Sequence, residues 1–168
     1  MCFVAASLVA LAALLSPPAL AARAIDFRFI DTAGKSLRLS DFHGKWVLVN
    51  FWTPGCSPCQ DEVPVLNTLN RRDDVVVIGV GLDYGPDDSI VHETAGKFNF
   101  NVTAIVAGGS RRNQNSACRQ VGPVTFYPTS YLYDPDGEIV MFIPGRVKED
   151  RLLKFMGHWT QERTKDLR

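Results

Sequence analysis

Two stretches of the chain are apolar almost without a break: Trp46–Trp52 (WVLVNFW) and residues 75–82 (VVVIGVGL). A strand with one wet face alternates between apolar and polar residues, whereas a strand covered on both faces does not, so these runs predict two buried central strands. Between them Val63, Leu66 and Leu69 recur three apart, which predicts a helix that starts near Cys56 and turns this stripe to the core. Residues 25–30 and 36–40 flank the turn Ala33-Gly34-Lys35 and predict a short strand pair ahead of the first buried run. Residues 87–98 predict a second helix and residues 102–107 a further short strand. Thr129–Tyr133 and residues 138–142 bracket Asp134-Pro135-Asp136-Gly137, a hairpin turn. A closing helix over 149–160 places Leu152, Leu153, Phe155, Met156 and Trp159 on one packing stripe. The alternation of strands and helices predicts an α/β sandwich around a mixed sheet.

Composition changes this picture only at the N-terminus. The chain has 168 residues, 46% of them apolar, with 18 acidic and 18 basic side chains, as expected of one compact domain without the basic footprint of a nucleic-acid partner. From Met1 to Ala22, however, no side chain is charged, and the run LVALAALL leads into Ser16-Pro17-Pro18 and Ala19-Leu20-Ala21. That is the layout of an export signal. No Lys or Arg precedes the apolar run, so a retained membrane anchor stays open. Residues 1–21 are accordingly expected to be an export signal or anchor and residues 22–168 the folded domain, in the periplasm or another extracytoplasmic, oxidising compartment. The domain then carries Cys56, Cys59 and Cys118, an odd number that does not make a stapled framework.

Candidate chemistry gathers in FWTPGCSPCQDEVP, residues 51–64. Cysteines at i and i+3 at a helix start lie one turn apart, and the first sits where free backbone N–H groups and the positive helix end favour thiolate over thiol. Cys56 is the expected nucleophile and Cys59 the resolving thiol. Pro58 suits a position that needs no N–H, while Pro64 withholds a hydrogen bond from the Gln60 carbonyl and is expected to kink the helix. Glu62 shares a helical face with Cys59, as a proton acceptor and donor for that thiol or as a solvated acid near the helix start. Asn50, six residues before Cys56, cannot titrate and reads as a hydrogen-bonded core amide.

The motifs Gly44-Lys45, Asn50-Phe51-Trp52, Cys56-Ser57-Pro58-Cys59, Glu62-Val63-Pro64, Tyr127-Pro128-Thr129 and Asp134-Pro135-Asp136-Gly137 together resemble exported thioredoxin-like proteins of the TlpA/ResA type. The resemblance implies a thioredoxin fold, with a central mixed β-sheet flanked by helices and an N-terminal strand extension. It implies a thiol-disulfide oxidoreductase that reduces protein disulfides through Cys56 and Cys59, assisted by Glu62, in apocytochrome c or copper-protein maturation. Pro128 is implied to be cis and to face the cysteines, with Trp52, Tyr127 and Pro128 contacting the substrate. Partners would be a protein thiol or disulfide and a transmembrane electron donor; no cofactor or metal is implied. Where the family places tryptophan directly before the first cysteine, this chain has Gly55.

Two other readings compete. Thr53-Pro54-Gly55-Cys56 resembles the peroxidatic loop of peroxiredoxins, but Val49 replaces their proline and Pro128 falls near where their activating arginine would stand. Cys56, Cys59 and Cys118 with one of His43, His92 or His158 would supply the donors of a zinc site, and the three thiols alone those of a copper module. Cys118 alone reads as a buried small hydrophobe or as a regulatory or dimer-forming thiol. Arg111, Arg112 and Arg119 read as a solvated segment or as a docking patch for an acidic partner.

Overall fold

The computed structural model describes residues 25–166, so the expected export segment lies outside the described residues. A five-stranded sheet runs in the order β5 (Ala104–Ala107), β4 (Val75–Gly81), β3 (Trp46–Trp52), β6 (Thr129–Tyr133), β7 (Ile139–Pro144). β3, β4 and β5 are parallel, whereas β6 pairs antiparallel with both β3 and β7. Every residue of β3 and β4 is buried, as their unbroken apolar runs require. The expected fold class, a mixed sheet with helices packed on it, is the one observed.

Successive residues of β3 feed two cores. Trp46, Leu48 and Trp52 face helices α1 (Ser57–Asn70), α2 (Ser89–Lys97) and α3 (Glu149–Asp166), which contribute Val63, Leu66, Leu69, Val91, Ala95, Leu152 and Met156. Val47, Val49 and Phe51 face the opposite way, toward a two-stranded antiparallel hairpin of β1 (Arg28–Ile30) and β2 (Ser36–Arg38) and toward Ala117 and Cys118. This hairpin is the expected N-terminal extension. It stays outside the main sheet, stacks Phe27 on Phe29 at 4.5 Å, and is tied to β5 by the Thr32 N–H donating to the Ile105 carbonyl at 2.8 Å.

Two positions of β4 on the helix-side face are glycines for a steric reason. A Cβ at Gly79 would lie 2.8 Å from the Phe100 ring, and one at Gly81 would lie 2.7 Å from Val91 Cγ1. Polar side chains set the element ends. Asp87 Oδ1 accepts the Ser89 N–H, so α2 starts two residues later than expected, and Asn70 Oδ1 accepts from Thr103, so β5 begins only at Ala104. α1 runs through Pro64 to Asn70 without ending there. α3 passes its last apolar residue and continues to Asp166, where Arg163 pairs with Asp134 and Asp136 on the β6–β7 turn. Among the described residues no helix is long and apolar enough to cross a membrane.

Candidate redox site

Beyond β3 the chain turns sharply. The Cys56 N–H donates to the Thr53 carbonyl at 3.2 Å, enclosing Pro54 and Gly55, the residue order that a type II turn needs. Gly55 has φ +80, in the left-handed region that a tryptophan seldom enters. A tryptophan at this position of this chain would carry a backbone strain that glycine avoids. Cys56 then caps α1 in extended conformation, φ −83 and ψ 99. Its carbonyl accepts from the N–H groups of Cys59 and Gln60, and its Sγ accepts the Cys59 N–H at 3.2 Å. Hydrogen bonding and dipole both favour negative charge at that sulfur. Cys56 and Cys59 form a disulfide, with Cα atoms 5.3 Å apart. The pair is asymmetric: Cys59 is buried and Cys56 is partly exposed.

Glu62 is 2% exposed, which rules out the solvated-acid reading. Its Oε1 accepts from Asn50 Nδ2 at 2.8 Å and its Oε2 from the Val147 N–H at 2.9 Å, and the same Asn50 nitrogen donates to Ser130 Oγ at 2.9 Å. Thus α1, β3 and the segment before α3 meet at one carboxyl, and β6 is joined to it through Asn50. Burial is the largest influence and pushes the Glu62 pKa up, against the hydrogen bonds from Val147 and Asn50 and the positive charge of Arg146. The site therefore holds a proton-binding group one helical turn beyond the buried sulfur.

Tyr127-Pro128 is a cis peptide. It enters β6 where Thr129 pairs with Phe51, beside the end of β3 from which the cysteine loop departs. Tyr127 is half-buried and packs against both cores, and Cys56 packs against the helix-side one as well. Its hydroxyl donates to Asp83 Oδ2 at 2.8 Å, beside Arg111 Nε at 2.9 Å from the same oxygen. The Asp83 Oδ1 accepts the Arg111 N–H at 3.0 Å and the Ser110 hydroxyl at 3.1 Å. Arg111 also lies 5.1 Å from the Tyr127 ring centroid and donates to the Thr125 carbonyl at 2.9 Å. Burial alone would raise the Asp83 pKa, but these donors outweigh it and hold it low; desolvation first, then Asp83, pushes the Tyr127 phenol up. Asp83 has φ 52, a left-handed conformation uncommon outside glycine.

Other sequence expectations change here. Trp52 does not face a substrate: it is 1% exposed, with the rings of Phe98 and Phe100 at 6.3 and 6.0 Å, because so large an apolar side chain at the end of β3 fills the helix-side core. Arg111 is anchored to Asp83, which leaves Arg112 and Arg119 as the exposed cations of the expected patch. Cys118 is a buried free thiol beside Ser116 Oγ at 3.3 Å. Among the described residues no group of three or more Cys, His, Asp or Glu side chains is placed to hold a metal. Sequence reasoning missed Asp83, Ser130 and Val147; only Ser130, two residues after Pro128, stood near a motif.

The family model for the AhpC/TSA family matches residues 20–142. The chain belongs to that family. Within it, the chain is similar to the thiol-disulfide oxidoreductase ResA of Geobacillus kaustophilus, 33% identical over 136 residues that cover 79% of this chain and 74% of the relative. The pneumococcal exposed lipoprotein thioredoxin Etrx1 of Streptococcus pneumoniae superposes with a TM-score of 0.61 at 26% identity, over 79% of this chain and 98% of that one. A DsbF homologue from Corynebacterium diphtheriae, 20% identical, shares the fold with a TM-score of 0.69 over 81% of this chain and 85% of that one. This AhpC/TSA family member is a thiol-disulfide oxidoreductase of the ResA type, with Cys56 and Cys59 as its CxxC pair.

Proposed function

We propose that the protein works outside the cytoplasm as a reductant of protein disulfides, of the kind that serves apocytochrome c or copper-protein maturation. The thiolate of Cys56 attacks a disulfide of the partner. One partner sulfur leaves as a thiolate and takes up a proton, and the other is held in a mixed disulfide with Cys56. The Cys59 thiol gives its proton to Glu62, and the resulting thiolate attacks Cys56 Sγ, breaking its bond to the partner sulfur, which leaves as a second thiolate and takes up a proton. Two electrons have then passed to the partner and Cys56–Cys59 is a disulfide, so reuse requires two electrons from a donor, for which a transmembrane carrier is suited. Tyr127 and Pro128 floor the groove for an extended partner.

The observation that carries this reading is the buried Cys59 followed one turn later by the buried Glu62. A proton taken from a buried thiol needs a nearby acceptor that does not depend on solvent. The reductant direction rests on Ser57 and Pro58, which supply no cation to stabilise a thiolate further, and on Glu62, whose ionised form opposes one. The uncharged N-terminal segment and the exposed lipoprotein relative support the extracytoplasmic site. Cys59→Ser, expressed in the native host, tests the assignment: partner proteins should accumulate in disulfide linkage to Cys56. Absence of any adduct, or adducts at Cys118, would remove it.

A further inference from the structure

Asn50 lies in β3 with 1% of its surface exposed. Its amide nitrogen donates to Glu62 Oε1 and to Ser130 Oγ, while its Oδ1 is buried with no donor. Leaving a buried amide oxygen unpaired costs on the order of 1–3 kcal/mol, so this orientation is set by what the nitrogen faces. With Val147 on the other oxygen, Glu62 is met at both oxygens by N–H donors, an arrangement that favours the ionised carboxylate in a dry site. Half a turn of the amide would exchange its ends. The unused Oδ1 would then face Glu62 and Ser130, where it accepts from a protonated carboxyl and from the serine hydroxyl.

We propose that Asn50 is a positioning residue that sets the proton affinity of Glu62, its nitrogen donating to the carboxylate and its oxygen available to the acid. This rests on the reading of Glu62 as proton carrier for Cys59. The other groups around Glu62 are few. Arg146, from the segment before α3, is the charged group facing it from another element and itself pairs with Asp61 at 3.3 Å. On its own helix are Asp61 and the Cys56–Cys59 pair, and from β6 Ser130 reaches it only through Asn50. Support for the carboxylate from a side chain therefore comes from Asn50 alone among the hydrogen bonds formed.

The test is a titration of the Glu62 side-chain carboxyl by carbon-13 NMR in reduced protein, its signal assigned by its loss in Glu62→Gln. Asn50→Leu keeps the bulk and removes donor and acceptor together. A hydrogen bond to a charged group is worth about 1.5–3 kcal/mol, so the Glu62 midpoint should move up by about one to two pH units. Asn50→Ala, smaller and easier to accommodate, should move it the same way. A residue that merely packs β3 would lower the unfolding temperature and leave the midpoint unmoved, and an unmoved midpoint in the folded variants overturns the proposal whatever happens to exchange. A midpoint that moves while the pH profile of disulfide exchange does not follow upholds Asn50 as the residue that tunes Glu62 and instead removes Glu62 as the proton carrier.

Discussion

Replacing Glu62 by glutamine should change how stability depends on pH, with a sign that the site dictates. In the unfolded chain this glutamate titrates near its ordinary value of about 4.3. In the folded protein burial, the largest influence, raises its pKa above that ordinary value despite the donors Val147 and Asn50. Below the unfolded value both states hold the proton and the group contributes fully. As pH rises past it the unfolded chain releases a proton that the folded protein keeps, so stability falls until the raised folded pKa is passed. Each unit of the shift is worth about 1.4 kcal/mol. Glutamine has no such window, and its amide is accommodated because Val147 can donate to its oxygen while Asn50 turns its unused Oδ1 toward the NH₂. Asp74, held low chiefly by Arg72, and Asp83, held low by its donors against burial, titrate alike in both proteins and cancel in the difference. Urea unfolding of the oxidised proteins from pH 4 to 8 reads that difference: Glu62→Gln should gain on the wild type as pH rises above about 4.5, while exchanging disulfides more slowly in the reduced form. A stability difference constant across the range would refute the burial argument.

Three further outcomes follow from single contacts. Tyr127→Phe removes the phenol hydrogen bond to Asp83, a carboxylate 27% exposed, and after allowance for solvent should cost about 1 kcal/mol in urea unfolding. Gly55→Ala should cost about 1 kcal/mol through its φ of +80 alone, since nothing lies within 4 Å of the added Cβ, and Gly55→Asn should cost less. Reduced protein mixed with hydrogen peroxide in a stopped-flow instrument should oxidise at the pace of an ordinary thiol, because Val49 and Pro128 stand where a peroxidase needs other groups; a peroxidase-like rate at Cys56 would restore that rival.

What the sequence made legible is what local pattern carries. Continuous apolar runs marked β3 and β4, and spacing put Val63, Leu66 and Leu69 on the buried face of α1. The cysteine spacing located the site because one helical turn is enough to bring Cys56 and Cys59 together. Burial of Glu62 was not legible, since it depends on the Val147 N–H, 85 residues away and invisible in any side-chain pattern. The Asp83 cluster joins residues 28 and 44 positions apart through loops, where neither period nor spacing predicts contact. The end of α3 was missed for a simpler reason: Gln161 to Asp166 are polar with no stripe, and the distant carboxylates of Asp134 and Asp136 hold them.

The redox potential of the Cys56–Cys59 pair bears most directly on the reductant assignment. Equilibration with glutathione buffers of graded ratio, followed by acid quench, alkylation and mass mapping, gives the fraction of that disulfide and reports Cys118 separately. The potential should lie closer to the value of about −270 mV for thioredoxin than to the value of about −120 mV for a strong oxidant, with Cys118 remaining a free thiol. A value near −120 mV, the signature of a heavily stabilised thiolate at Cys56, would contradict the assignment and make the protein a donor of disulfides instead.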